Sequence, residues 1–206
     1  MNYSLDEIKL ICLALKEGTH TKIWESKFVT NIKSRIKASK RKKQNEACCY
    51  CQRDTTGEFN MVLDIEHILP KSKFENCIFD LDNLAISCKK CNMQEKRERL
   101  DFLTVDLLTK YKRNEKSNYF KKENYKFIHP NLDEYFLHMD LVYEQINQTK
   151  LRKYYGKTPK GKFTYKYFNL KDLEIKSSNE AQGVRKAINE EIHEKIKEME
   201  RKLNKA

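Results

Sequence analysis

Two Cys-x-x-Cys pairs constrain the fold of this chain more than any other feature. Cys48 and Cys51 form the first pair, and Cys88 and Cys91 form the second. Four thiolates with this spacing can complete the tetrahedral shell of a structural zinc ion. The segment around them is short and polar, so metal binding would supply folding free energy that a small core cannot. The sequence therefore predicts that Zn²⁺ ties residues 48–51 to residues 88–91.

The other three cysteines have weaker signals. Cys49 could ligate in place of a neighbour, although its spacing to Cys51 does not suit a metal-binding knuckle. Cys12 and Cys77 are interpreted as ordinary small apolar residues. The total of seven cysteines is odd, which does not fit a secreted disulfide framework. We therefore predict a chain that resides in the reducing cytoplasm.

Net charge points to the kind of partner. The chain has 42 Lys and Arg against 30 Asp and Glu, which gives a formal charge of +12. Such a surface field favours a polyanion, with nucleic acid as the first expectation and an anionic membrane surface as the second. No apolar run approaches the roughly 18 residues of a membrane-spanning helix. We therefore predict DNA as a partner and no membrane association.

The N-terminal part has helical periodicity. A helix is predicted over residues 4–17, with Ser4 and Glu7 as a capping box. A second helix is predicted over about residues 22–44, and its later part carries seven basic residues and no acid. This basic run is either a solvated helix face or a phosphate-contacting surface. The candidate phosphate contacts at its end are Lys40, Arg41, Lys42 and Lys43.

The rest of the chain divides into two regions with different residue patterns. Short strands are predicted near residues 61–65 and 83–87, and a helix is predicted from about Cys91 to residue 103. Farther along, Pro130 indicates a turn, and aromatic alternation over residues 161–170 predicts a half-buried strand. An apolar stripe from about Asn179 predicts a terminal amphipathic helix.

The predicted fold class is α+β. Residues 1–45 are expected to form a helical region with a basic helix, and residues 46–104 a small module with the four cysteines. Residues 105–206 are expected to be mainly helical, with one short strand segment and the terminal helix.

A cluster of polar residues lies between the cysteine pairs. Hydrolysis of a phosphodiester needs a base for water and a cation for the developing charge. The imidazole of His67 suits the first task, and the carboxylate of Glu66 with the amide of Asn92 suits a hard cation such as Mg²⁺. In a regular helix, Asn92, Lys96 and Arg99 would share one face beside this cation.

The stretches "IEHILPKS" and "FDLDNLAISCKKCN", framed by the four cysteines, resemble the HNH endonucleases, also called ββα-metal or His-Me finger nucleases. The resemblance covers about residues 46–103 and implies a ββα-metal fold with a four-cysteine zinc site. It implies that His67 is the general base and that Glu66 and Asn92 hold one catalytic Mg²⁺ or Mn²⁺. It further implies that Asn83 holds the intervening loop, with Asp64 as a second-choice metal ligand.

One feature departs from the family pattern. HNH proteins commonly have a Lys and a Gly soon after the final Asn, whereas "NMQEKRER" has no Gly and places Lys96 one position late. Lys96 stays a candidate DNA contact, as do Lys71, Lys73 and Arg99.

The helical flanks and the "HPNLDEYF" segment more loosely resemble the HNH nuclease subunits of Septu-type anti-phage systems, which pair with an ATPase. That resemblance implies an antiviral defence role and an ATPase partner. A stand-alone restriction or homing-type HNH nuclease is one alternative, and a non-catalytic zinc-dependent nucleic-acid-binding protein is another.

Overall fold

The computed structural model describes residues 1–146 and 149–174, together with residues 194, 198 and 201. Helices and two separate β-hairpins make up this part of the chain, which confirms the α+β fold class. None of the helices in the described residues has the length and apolar character needed to cross a bilayer. The elements are α1 Leu5–Ala14, α2 His20–Glu25, α3 Thr30–Lys43, β1 Leu63–His67, β2 Leu84–Cys88, a π-helix Lys90–Lys96, α4 Leu107–Lys110, α5 Tyr135–His138, β3 Met139–Ile146, β4 Thr149–Gly156 and α6 Pro159–Tyr167.

The first predicted helix is confirmed, and the second is interrupted. Ser4 and Glu7 form the expected capping box at the start of α1. The single long helix predicted over residues 22–44 is wrong, because the chain breaks at Ser26. The Ser26 hydroxyl donates to Glu17 at 2.9 Å and accepts from the Phe28 N–H at 3.2 Å. This side chain competes with helical hydrogen bonding and separates α2 from α3.

Most of the basic residues of α3 contact the protein itself. Lys37 donates to the main-chain carbonyls of Asn60 and Leu63. Lys40 is buried, and its ammonium donates to the Leu81 carbonyl at 2.6 Å. These bonds satisfy carbonyls that lie next to β1 and β2. These two lysines of the basic run therefore bind α3 to the β1–β2 hairpin by hydrogen bonds.

The β1–β2 hairpin lies between two hydrophobic clusters. The strands are antiparallel, with Asp64 opposite Ser87 and Glu66 opposite Ala85. Ile65 and Leu84 point to one face and pack with the N-terminal helices. Side chains alternate along a strand, so Asp64, Glu66, Ala85 and Ser87 point to the other face, where Ala85 joins the larger C-terminal cluster.

The C-terminal region differs from prediction in two respects, the first being that β3 and β4 form a hairpin where mainly helical structure was expected. The strand expected over residues 161–170 is wrong, because α6 occupies residues 159–167. Thr158 caps this helix and Pro159 starts it, which is a favourable helix N-terminus. Phe163 and Tyr167 are four residues apart, and their rings stack at 5.5 Å. The predicted terminal amphipathic helix lies outside the described residues, apart from three isolated helical positions.

Aromatic side chains from the C-terminal region cover the first cysteine pair. The Tyr50 ring stacks on Phe168 with 4.1 Å between centroids. Tyr154 donates its hydroxyl to the Cys51 carbonyl at 2.7 Å, and Tyr135 donates to the Tyr50 carbonyl at 3.1 Å. Phe168 is completely buried, and burial of such a side chain contributes about 1.5–3 kcal/mol. The cysteine segment is therefore held from outside by tyrosines and phenylalanines.

Candidate metal centre and active site

The four paired cysteines converge on one point. The sulfurs of Cys48, Cys51, Cys88 and Cys91 all lie within 4.8 Å of one another, and all four residues are buried. The Cys51 and Cys88 sulfurs are 3.9 Å apart. A zinc ion with Zn–S bonds of about 2.3 Å separates its sulfurs by about 3.8 Å in a tetrahedron. The donor set and its spacing therefore fit a metal ion, as the sequence predicted.

The other cysteines stay outside this group. Cys49 is buried, and its N–H donates to the Ile86 carbonyl at 2.9 Å. Cys12 is exposed, and Cys77 is buried. Within the described part of the chain, the metal-binding group contains only the two Cys-x-x-Cys pairs.

Asn83 is wholly buried at the start of β2 and connects the two ends of the loop between the strands. Its side-chain oxygen accepts from the Leu69 N–H at 2.7 Å. Its amide nitrogen donates to the Leu69 carbonyl at 3.1 Å and to the Cys77 carbonyl at 3.0 Å. The loop held by these bonds carries Lys71 and Lys73.

His67 ends β1 on the face that carries Ile65. Its ring packs edge-on against Trp24, with 4.5 Å between centroids. Its Nε2 lies 3.1 Å from the Ile78 carbonyl, which can only accept, so Nε2 carries the proton and Nδ1 keeps a lone pair. Burial lowers the pKa of His67 to about 3, and the charges of Lys71 and Lys96 act in the same direction. The imidazole is therefore neutral near pH 7.

Asp64 and Asn92 meet on the opposite face of the hairpin. Asn92 lies in the first half of the π-helix, and its amide nitrogen donates to Asp64 Oδ2 at 3.0 Å. The Lys89 ammonium lies 3.6 Å from Asp64 Oδ1, and the Asp64 side chain is 25% exposed. The structure thus brings together a carboxylate and an amide that solvent can reach. It does not bring either of them into contact with His67.

Glu66 shares that face and has a different environment. Its Oε1 lies 2.8 Å from the Lys96 ammonium, and both side chains are almost completely buried. Tyr50 donates its hydroxyl to the same oxygen at 3.2 Å. Burial raises the pKa of Glu66, while the charge of Lys96 and both hydrogen bonds oppose that rise. Glu66 is therefore part of an internal ion pair.

The π-helix explains why Lys96 comes one position late. A π-helix holds more residues per turn than an α-helix, so it accommodates one inserted residue after Asn92. Arg97 then ends the helix at φ 52° and ψ −134°. It thus has a backbone conformation that a glycine would adopt more easily. The shared helix face expected for Asn92, Lys96 and Arg99 is wrong, since the helix ends at Lys96.

The predicted DNA contacts fall into two groups. Lys96 and Lys40 point inward, so a phosphate contact from either would require its internal bonds to break. Arg41 is ion-paired with Glu46. Arg99 is exposed, and its guanidinium is paired with Asp101 and lies 4.2 Å from the Tyr167 ring centroid. The second group reaches solvent: Lys42, Lys43 and Lys73 are exposed, and Lys71 is half-buried.

Three residues near the site have no individual signal in the sequence. Trp24 comes from α2 and contacts His67, and Tyr50 lies inside the first cysteine pair and donates to Glu66. Ser87 is wholly buried opposite Asp64. Strand register would have placed Ser87 there, because directly paired residues in antiparallel strands share a face.

The site thus consists of the β1–β2 hairpin, the π-helix that follows it and the four-cysteine cluster. Residues 48–98, which include the hairpin, the π-helix and all four paired cysteines, match the family model of the HNH endonucleases. The chain is also similar to the Septu protein PtuB of Bacillus thuringiensis, with 32% identity over 95 residues. That match covers 44% of this chain and 34% of PtuB, so the chain spans about a third of the length of this relative. No solved structure matches the chain significantly.

Proposed function

We propose that this protein is a metal-dependent endonuclease that hydrolyses phosphodiester bonds of DNA. The observation that carries the proposal is the HNH match over residues 48–98, since it contains His67, Asn83 and Asn92 together with the four cysteines. HNH endonucleases are metal-dependent, and the site offers carboxylate and amide oxygens of the kind that Mg²⁺ and Mn²⁺ prefer. We propose zinc for the cysteine cluster, where its role is structural because all four donors are sulfurs.

His67 is the proposed general base. Its Nε2–H is fixed on the Ile78 carbonyl, so Nδ1 is the atom that would take a proton from water. A bound phosphodiester would bring negative charge and raise the pKa of His67 from its low value toward neutrality. His67 is the last residue of β1, so a phosphate bound at this end of the hairpin could contact side chains from both of its faces.

The remaining residues have supporting roles in this proposal. Asn83 positions the 68–77 loop through its three main-chain hydrogen bonds. Lys71 and Lys73 on that loop, with Lys42 and Lys43 at the end of α3, would neutralise phosphates without reading bases. A bound divalent ion would stabilise the charge that develops on the phosphate and the leaving oxygen.

We further propose that the protein is the nuclease component of a Septu-type defence complex with an ATPase partner. The similarity to the Septu protein PtuB supports this proposal. The "HPNLDEYF" segment is built onto the HNH domain, since Asn131 donates to the carbonyls of Asp82 and Leu84 at 2.9 Å. Tandem purification of the native protein should recover an ATPase, and a fully active monomer that recovers none would contradict the complex.

Plasmid cleavage with Mg²⁺ or Mn²⁺ tests the nuclease proposal. The wild-type chain should cut, alone or with the co-purified ATPase, whereas His67→Ala should lose at least about 100-fold in rate. His20→Ala is the matched control, because it removes an imidazole from the first position of α2, outside the matched residues 48–98, and should leave the rate unchanged. Intact DNA with the wild type under every condition would instead favour a zinc-dependent nucleic-acid-binding protein.

A further inference from the structure

The two carboxylates on one face of the β1–β2 hairpin have opposite surroundings. Glu66 has an exposed fraction of 2%, whereas a quarter of the Asp64 side chain reaches solvent. The HNH resemblance makes Glu66, the residue before the histidine, the expected metal ligand. The contacts of the two side chains argue for the other carboxylate.

The Glu66 carboxylate already has a cation of its own. The Lys96 ammonium has three hydrogens, and it has three acceptors: Glu66 Oε1 at 2.8 Å, the His67 carbonyl at 3.0 Å and the Arg97 carbonyl at 3.3 Å. Tyr50 donates to the same carboxylate oxygen. A divalent cation at Glu66 would have to displace this buried ammonium or tolerate its repulsion at close range.

Asp64 also has an ammonium nearby, that of Lys89 at 3.6 Å, but the Lys89 side chain is 54% exposed and can turn into solvent when a cation binds. Asn92 lies against Asp64, and rotation of the amide group would exchange its nitrogen for its oxygen without moving the helix. Ser87 stands directly opposite Asp64 on the same face of the hairpin. Its hydroxyl is completely buried and, within the described ranges, has no hydrogen-bond partner. A buried hydroxyl without a hydrogen-bond partner needs an explanation, and a bound cation would use the Ser87 oxygen as a ligand.

We infer that the divalent cation of this protein is held by Asp64 and Asn92 with the Ser87 hydroxyl, directly or through water, and that Lys96 is the fixed counter-ion of Glu66. Three oxygen donors from a strand, its partner and a helix suit a hard cation that keeps several waters. Lys96 then has a structural role and no part in ligation, because its ammonium neutralises Glu66 inside the protein. This inference rests on the proposed function, since it concerns the ion of that reaction.

Binding of Mn²⁺ to the zinc-loaded full-length chain tests the inference, measured by titration calorimetry and by electron paramagnetic resonance. Mn²⁺ prefers oxygen donors and leaves the four-sulfur site to zinc. Asp64→Asn should weaken Mn²⁺ binding by at least about tenfold, and Ser87→Ala should weaken it by a smaller factor of about three. Glu66→Gln should leave the Mn²⁺ affinity within about threefold of the wild type.

A second variant separates ligation from folding. Glu66→Gln alone would leave the Lys96 charge buried and unpaired, so the double variant Glu66→Gln with Lys96→Met removes both charges and keeps similar volumes. The double variant should bind Mn²⁺ as the wild type does. The inference would be overturned if the double variant lost Mn²⁺ binding while Asp64→Asn kept it. It would also be overturned if the wild type bound no Mn²⁺. A wild type that binds Mn²⁺ through Asp64 and leaves DNA intact would uphold this site and refute the nuclease proposal.

Discussion

Replacement of Asn83 by alanine is the perturbation whose cost follows most directly from the structure. The Asn83 side chain is completely buried and satisfies three main-chain groups, namely the Leu69 N–H, the Leu69 carbonyl and the Cys77 carbonyl. Asn83→Ala leaves the Leu69 N–H and the Leu69 carbonyl without this partner, whereas the Cys77 carbonyl still accepts from the Asp80 N–H at 3.2 Å. Each buried group left unpaired costs about 1–3 kcal/mol, so we expect these two to lower the free energy of unfolding by about 2–6 kcal/mol.

Asn83→Asp distinguishes hydrogen bonding from cavity formation. Aspartate has nearly the same volume and can still accept from the Leu69 N–H. Its second oxygen would, however, face the two carbonyls that the amide nitrogen now serves. If hydrogen bonding dominates, Asn83→Asp should therefore cost at least as much as Asn83→Ala. If the cavity dominates, it should cost much less.

The assay is urea unfolding of the zinc-loaded protein, combined with amide hydrogen exchange over residues 68–77. The Leu69 amide should be protected in the wild type and exchange faster in Asn83→Ala. Asn114→Ala is the control, because Asn114 is exposed and its loss should change stability by no more than about 0.5 kcal/mol. A cost below about 1 kcal/mol with Leu69 still protected would refute the role assigned to Asn83.

Three further predictions concern other parts of the molecule. Chelation of the cluster metal, or Cys88→Ser, should lower the melting temperature by about 10 °C and reduce the zinc content from one ion per chain, whereas Cys12→Ser should change neither. His129 is completely buried, and burial lowers its pKa to about 3. Below about pH 6.5 this histidine is protonated in the unfolded chain but not in the folded one, so the free energy of unfolding decreases as the pH is lowered. From pH 7.5 to 5.5 this histidine should account for about 1.4 kcal/mol of lost stability, and His129→Gln should show a shallower pH dependence by that amount in parallel urea titrations. Arg97→Gly should raise the free energy of unfolding by about 1 kcal/mol because φ is 52° there, and Arg97→Ala, which lacks this relief, should not.

Local residue patterns determined the parts of the molecule that depend on short sequence separations. The capping box of α1 needs only Ser4 and Glu7, and the paired cysteines carry their own metal-binding spacing. The order of histidine and asparagines indicated an HNH domain, which the family match over residues 48–98 confirms. The two strands of the hairpin were also predictable, because short apolar runs flank the polar cluster.

Tertiary structure decided the surroundings of each charged residue, because partners come from distant parts of the chain. The basic run of α3 has the composition of a phosphate-binding helix. Its Lys37 and Lys40 nevertheless donate hydrogen bonds to the main-chain carbonyls of Asn60, Leu63 and Leu81. The alternation over residues 161–170 predicted a strand, but the Thr158 cap and the buried aromatic contacts of α6 favour a helix.

The same reasoning applies at the centre of the site. Sequence adjacency grouped Glu66 with His67, whereas strand alternation turns their side chains to opposite faces of the hairpin. The π-helix that follows β2 places the ammonium of Lys96 against Glu66 and the amide of Asn92 against Asp64. The sequence by itself determined which chemical groups this protein has between its cysteines. Only the packing of helix against hairpin decided which carboxylate is neutralised internally and which can meet a cation from solvent.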